Sequence, residues 1–519
     1  MNRSGLTVLS ISTLLSTLTA AALPTQANVA LSAEEIANAV TLPVINANGE
    51  AAFVGEPPIL NRDSRRVRPV EDATEAPIVP ETGIEMELPP ASVQAASAYE
   101  KGVNSYQAEA YAEAITHFNT ALLAKSDYAE AYLFRAAAYL KVGDSAAAMA
   151  DYASAIDTRP DYALAYFSRG ALHYAINNWT AAMGDFSQAI AINPTYTEAH
   201  DYLGLTEAAI GNHEAALIHF ESAISLDAMY APAHMHRGAS LLALNEYDAA
   251  VTALTSAIEN NENYAEAYLN RGVAYYRLGT FSAALDDLNE AIYLKPRSSQ
   301  AHFNRSYVYS ALGRPNKALA DINTVLTLRP NSIEAYIARG TIYSAQGNHT
   351  AAIADFNRVI DLDAASSTAY QQRAVAHLAN DNIVDAIADY DSAASLAPAN
   401  GGIFKGRADA YAVYGNLDAA IADYTYAIEL DNGFSEAYAA RGRALYEAGD
   451  ARGAYQDFSS IIRKNPAANA DIYYYRGLTL MALGDSFGAH GDLQTAAERY
   501  LAEGEADGYR AVLARMRNL

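Results

Sequence analysis

The 519-residue chain has no cysteine, which excludes disulfides, thiolate metal sites, a cysteine nucleophile and a lipidated cysteine. Tryptophan occurs once, at Trp179. Positive charge is scarce: 35 Lys and Arg stand against 60 Asp and Glu, a formal net charge of −25. That balance argues against nucleic acid and anionic lipid, which need a basic stripe to displace phosphate counterions. No run after the N-terminus approaches the roughly 18 uninterrupted apolar residues of a membrane-spanning helix. Catalytic signatures are missing too, with neither a G-x-S-x-G elbow nor a phosphate-cradling glycine loop. What remains is 51% apolar and only 18% charged, the composition of an ordered protein.

The first 27 residues have the layout of a secretory signal peptide. Met1–Asn2–Arg3 gives a positive start, Leu6 to Leu18 an apolar run, and Thr25–Gln26–Ala27 a small-residue site with cleavage expected after Ala27. This reading makes the protein exported, periplasmic or extracellular, with an uncleaved N-terminal anchor as the alternative. Residues 28–93 hold 8 of the chain's 17 prolines and are expected to form an extended or disordered linker. Within it a basic knot (Arg62, Arg65, Arg66, Arg68) precedes an acidic stretch from Glu71 to Glu87. The plain reading is a solvated linker; the sharper one is a segment that docks on a partner or on the acidic remainder of the chain. Ala51–Val54 offers a weak strand signal.

From Ala95 a 34-residue pattern recurs 12 times, with units starting at 95, 129, 163, 197, 231, 265, 299, 333, 367, 401, 435 and 470. In the unit from Ala265, two short amphipathic segments flank Gly279 and end at Pro296, and neither carries an apolar stripe wide enough to stand alone. Position 20 is alanine in all 12 units and position 8 is always small, as a close helix approach requires. Proline recurs at position 32, from Pro160 to Pro466, and stops the second segment.

This pattern resembles the tetratricopeptide repeat family, in its period, the small residue at 8, the aromatic near 11, alanine at 20 and 27 and proline at 32. The resemblance implies an all-α fold: a right-handed superhelical solenoid of about 12 helix-turn-helix repeats over residues 94–503. Residues 504–519 read as a C-terminal capping helix. It also implies a concave groove lined by positions 2, 5, 9 and 12 of the first helices, and scaffold or adaptor roles. On that register Phe167, Tyr174, Tyr276, Phe303 and Tyr307 are candidate groove residues for a partner segment, with burial between neighbouring first helices as the competing reading. The lysine-and-asparagine clamp that some members use on C-terminal carboxylates is missing: Lys405 fits position 5, but Asp409 follows at position 9. Trp179 reads as a packing residue.

Comparison among the units adds chemistry. Position 7 is arginine in ten units and position 23 aspartate in nine, and every unit with the aspartate has the arginine. Matched pairs such as Arg271 with Asp287, Arg339 with Asp355 and Arg441 with Asp457 are expected to tie the two helices of a unit, because arginine's planar fork fits a carboxylate. A ladder of anion-binding arginines is the alternative. Units four and five are irregular and gather His200, His213, His219, His234 and His236, for which ring packing is preferred over metal binding. Together these features point to a non-enzymatic scaffold of the cell envelope that binds protein or peptide segments. Neither cofactor nor metal, nucleic acid or small-molecule substrate is expected. The alternatives are a self-assembling solenoid, hence a homo-oligomer, or an accessory subunit of an envelope enzyme or export complex.

Overall fold

A computed structural model describes residues 90–517, together with a two-residue antiparallel pairing of β1 (Val44–Ile45) with β2 (Ala51–Ala52). The expected signal peptide and almost all of the expected linker lie outside the described residues, as do Phe53 and Val54. The helices group into two compact bodies, meeting in sequence between Pro296 and Arg297. The first holds α1 (Pro90–Gln107), α2 (Tyr111–Ala124), α3 (Ala129–Lys141), α4 (Ser145–Thr158), α5 (Ala163–Ala175), α6 (Trp179–Ile192), α7 (Thr197–Ala209), α8 (His213–Leu226), α9 (Ala231–Ala243), α10 (Tyr247–Asn260), α11 (Ala265–Arg277) and α12 (Phe281–Leu294). The second holds α13 (Ser299–Ala311), α14 (Pro315–Leu328), α15 (Ile333–Ala345), α16 (His349–Leu362), α17 (Ser367–Ala379), α18 (Ile383–Leu396), α19 (Gly401–Tyr414), α20 (Leu417–Leu430), α21 (Ser435–Glu447), α22 (Ala451–Lys464), α23 (Ala470–Ala482), α24 (Ser486–Glu503) and α25 (Ala506–Met516). Each repeat is therefore one odd-numbered and one even-numbered helix.

Two features of the chain set this geometry. The turn inside each repeat passes through a left-handed residue at position 15, as in Gly143 (φ 84°), Gly279 (φ 74°) and Gly449 (φ 88°), with Asn177, Asn245, Asp381 and Glu109 adopting the same conformation in other repeats. In repeats one to eleven the residue after the second helix is close to extended whether or not proline follows: Arg159 before Pro160 (φ −137°, ψ 91°) matches Asp227 before Ala228 (φ −138°, ψ 99°). Packing between repeats therefore imposes this bend, and proline only favours it.

Within each body every second helix packs on its own first helix and on the first helix of the next repeat. Successive first helices approach one another more closely than successive second helices do, which puts the first helices in the inner layer. The core lies between the layers. Ala114, Ala148, Ala182, Ala284 and Ala454 at position 20 are all fully buried, and the large residue at position 24 (Phe118, Tyr152, Phe186, Leu288, Phe458) fills the space beside them.

The first helix starts at Pro90, four residues before the expected boundary. Proline at the opening of a helix forfeits no hydrogen bond, so a Pro-rich tract can run directly into one. At the other end Gly504 closes α24 in the left-handed conformation, and α25 covers the last repeat by burying Val512 completely. The extra residue before the twelfth unit falls in the loop between α22 and α23.

At position 8 the small residue lets the helices approach. A Cβ added to Gly272 would lie 2.9 Å from Leu288 Cγ. Gly272→Val should thus cost about 1–3 kcal/mol by overpacking, read as a lower urea midpoint for the full chain.

Candidate interaction surface

The inner layer is held in place by the charged residues on its other side. In repeat six, Arg271 on α11 donates from Nε to Asp287 Oδ2 at 2.8 Å and from Nη2 to Oδ1 at 2.9 Å, so the fork is bidentate. The same contact joins Arg339 to Asp355 (2.9 and 2.7 Å) and Arg441 to Asp457 (2.8 and 2.8 Å). It also occurs in the six other units with both residues, from Arg135–Asp151 to Arg476–Asp492. Eight of the nine aspartates are buried, Asp423 being the exception, and hydrogen bonds to Asp287, Asp355 and Asp457 raise the guanidinium pKa values of Arg271, Arg339 and Arg441 above the usual range.

The sequence comparison missed the third contact. Arginine's remaining nitrogen, Nη1, reaches position 25 on the second helix of the preceding repeat. Arg135 meets Asn119 at 2.5 Å, Arg271 meets Thr255 at 3.0 Å, Arg339 meets Asn323 at 2.7 Å and Arg407 meets Asp391 at 2.7 Å. One guanidinium thus joins three helices from two repeats. With its donors taken up in this way it has little left for a free anion, which disfavours the anion-ladder alternative. The signal was present: position 25 is Asn, Asp or Thr wherever this bond forms.

Repeats four and five depart from the scheme. Leu203 and His219 replace the pair in repeat four, and Arg237 in repeat five turns to Glu221 of the preceding repeat (3.1 Å). Asp201 and His236, both buried, meet instead at 2.9 Å. His200 and His234 each place Nε2 against a backbone carbonyl, of Pro194 (3.2 Å) and Ala228 (3.0 Å). Among the described residues, no three or more of His, Asp or Glu are grouped to hold a metal ion.

The aromatic candidates divide. Phe167 is 4% exposed, its ring 5.0 Å from Tyr196 and 5.2 Å from Tyr202; Tyr174 is 3% exposed and packs on Trp179 at 5.2 Å. Phe303 is 6% exposed in a cluster with Ala318, Ile322 and Ala338. These three are packing residues, because a large ring at positions 5 or 12 fills the gap between neighbouring first helices. Tyr276, 5.7 Å from Phe281, and Tyr307, 5.1 Å from Phe303, are half-buried.

An accessible inner strip lies elsewhere, on α15, α17, α19 and α21. Ile337, Val375, Leu378 and Tyr446 are half-exposed there, while Glu334, Thr368, Glu436 and Arg443 are exposed. Lys405 is neutralised by Asp409 at 2.7 Å, and Asp409 also accepts from the Tyr424 hydroxyl at 2.7 Å. Arg443 lies over the Tyr475 ring at 5.9 Å and forms no ion pair among the described residues.

Asp287→Ala should strand a half-buried guanidinium and cost about 3 kcal/mol, the low end for an orphaned buried charge, because Arg271 keeps some solvent access. Arg271→Leu with Asp287→Leu should cost less in the same urea titration. Burial holds the His219 pKa below its ordinary value. The unfolded chain therefore binds that proton more readily, and stability is full above about pH 6.5 and declines as the pH falls. His219→Gln should lose less stability than the parent chain between about pH 7.5 and 5.5.

Comparison with known proteins agrees with the repeat pattern. A tetratricopeptide repeat model matches residues 99–163, 135–197 and 236–302, and a second model of the same description matches 299–332 and 333–366. No curated protein is significantly similar in sequence. Among solved structures, yeast Tom70 is 17% identical over 82% of this chain and 96% of its own, with a TM-score of 0.39. The Cut9–Hcn1 hetero-tetramer of the APC/C gives 12% identity, 81% and 96% coverage and a TM-score of 0.42. A tetratricopeptide repeat protein from Parabacteroides merdae gives 22%, 48% and 98% coverage and a TM-score of 0.40. Period, helix pairing and family models converge: the chain is a tetratricopeptide repeat protein.

Proposed function

We propose that this protein is a non-enzymatic scaffold that holds a segment of a partner protein along the inner strip of repeats eight to eleven. The observation that carries this reading is a contrast in exposure. In repeats three to five seven of the twelve inner positions are buried, among them Phe167, Tyr174, Leu205, Met235 and Ala239. In repeats eight to eleven only Thr341 of the sixteen equivalent positions is buried, and the rest are mixed, with apolar Ile337, Val375 and Leu378 beside acidic Glu334 and Glu436 and the cation Arg443. Half-exposed apolar side chains flanked by charge suit an extended or helical segment that buries a few anchors and satisfies polar groups at the rim.

The proposed setting is the cell envelope or the exterior. The support for it is the N-terminal sequence, with its positive start, apolar run and Ala27 cleavage site, and a cysteine-free composition compatible with an oxidising compartment. Among the described residues no helix is long and apolar enough to cross a membrane.

A photo-crosslinking residue at Val375, compared with one at the exposed second-helix position Asp361, tests the binding face. A defined partner should crosslink from position 375 only, and Ile337→Asp should abolish the adduct with helicity unchanged. Equal crosslinking from both positions would reject the strip as the binding face. Mass spectrometry of the mature protein should find a chain beginning at Asn28, and one that keeps Met1 to Ala27 would reject cleavage at this site.

A further inference from the structure

The residue before each first helix differs between the two bodies. In the second body it is Ser298, Ser332, Ser366, Asn400 or Asn469, whose side chain accepts a backbone N–H and caps the helix, with Phe434 as the exception. In the first body it is a tyrosine five times running (Tyr128, Tyr162, Tyr196, Tyr230, Tyr264), and none of these caps. Forgoing a good cap costs about 1 kcal/mol per helix, so the tyrosines must gain something else.

Repeat two shows what. Arg159 lies over the Tyr162 ring, 3.4 Å from its centroid, and donates from Nη1 to Glu130 Oε1 at 2.6 Å. A tyrosine at position 34 and a glutamate at position 2 form a cradle for the cation at position 31. In repeat one Lys125 lies 4.9 Å over Tyr128, and in repeat six Lys295 pairs with Glu266. Repeats three and five have no acid at position 2, where Leu164 and Pro232 stand.

Repeat four breaks the pattern. It has the acid, Glu198, and the tyrosine, Tyr230, but Asp227 occupies the cation's place. No cation pairs with Glu198 among the described residues, and burial, with Asp201 and Asp227 nearby, pushes its carboxyl pKa up. His236 engages Asp201 but does not pair with Glu198 or Asp227. The Tyr196 hydroxyl is an independent sign. Tyr196 is 8% exposed, its oxygen has no hydrogen-bond partner among the described residues, and Glu198 is the strongest charge acting on it. Residues 163–264 carry only two Lys and Arg, Arg169 and Arg237, against 11 Asp and Glu, and both arginines are already paired.

We infer that the repeat-four cradle of Glu198, Asp227, Tyr230 and Tyr196 receives a guanidinium supplied by the chain's own Arg62–Arg68 segment. That segment places four arginines within seven residues, a local density found nowhere else in the chain. Reach is sufficient: the 22 residues from Arg68 to Pro90 (90 − 68) extend to about 75 Å. The cradle is three repeats from the start of α1, about 30 Å at ordinary helix spacing. The arginine stacks on Tyr230 and pairs with Glu198, as Arg159 does with Tyr162 and Glu130.

The test uses the full chain with Arg62, Arg65, Arg66 and Arg68 all changed to Gln, and a fluorescent peptide of residues 58–70. Anisotropy should show the peptide binding this variant at least tenfold more tightly than the parent chain, whose own segment fills the cradle. Adding Asp227→Arg, which supplies the missing cation as in repeat two, should abolish binding with the melting curve retained. Glu198→Gln, close in volume, should weaken binding at least tenfold and serves if Asp227→Arg does not fold. Equal binding to the parent chain would overturn the intramolecular occupant. Binding unaffected by either cradle substitution, or no binding to the fourfold variant, would overturn the site.

Discussion

The structure depends on one contact, the guanidinium at position 7. A helix pair of this length has too little apolar surface to be stable alone, so each repeat must be fixed to its neighbours. Apolar packing supplies most of the attraction but is non-directional. The arginine supplies direction: its fork fixes the second helix of its own repeat through aspartate, and from Arg135, Arg271, Arg339, Arg373, Arg407 and Arg441 the third nitrogen fixes the second helix of the repeat before. The flanking rings add to this, since Tyr268 and Tyr275 lie 5.7 and 5.9 Å from the Arg271 guanidinium. Burying a charge pair is costly unless its hydrogen bonds are satisfied, and here a single side chain satisfies nearly all of them.

Because the ties occupy the outer side of the first helices, the inner side is free to vary. It varies in two ways. In repeats three to five of the first body large rings and small residues close much of it, and tyrosines replace the helix caps. In the second body Ser and Asn cap the first helices, and the inner positions stay open around Ile337, Val375 and Arg443. One repeat pattern thus gives a largely closed, strongly acidic stretch in repeats three to five and an open, mixed one in repeats eight to eleven.

Much of the fold was legible in the sequence because its determinants are local and recur. Ala284, Gly272 and Gly279 each repeat at a fixed spacing, and Arg271 and Asp287 covary between units. The inter-repeat bond to Thr255 was harder to see, because Asn, Asp and Thr share a chemistry and not an identity. The fate of the aromatic candidates could not be read from register alone. Phe167 and Tyr276 occupy positions that can face a ligand or a neighbouring helix, and only the size of the residues opposite decides. Phe167 meets Tyr196 and Tyr202 and is closed in, whereas Tyr276 meets only Phe281 among the described rings and keeps part of its surface. The Pro90 start was misplaced for a related reason: proline density marks where helices cannot continue, not where one can begin.

Hydrogen exchange along the full chain tests the role of the arginine ties most directly. Repeats four and five lack the Arg–Asp pair, so amides of α8 and α10 should open at lower free energy than those of α4, α6 and α12, whose aspartates are held. Protection that is uniform across these helices, or lowest in one whose aspartate is tied, would contradict the account.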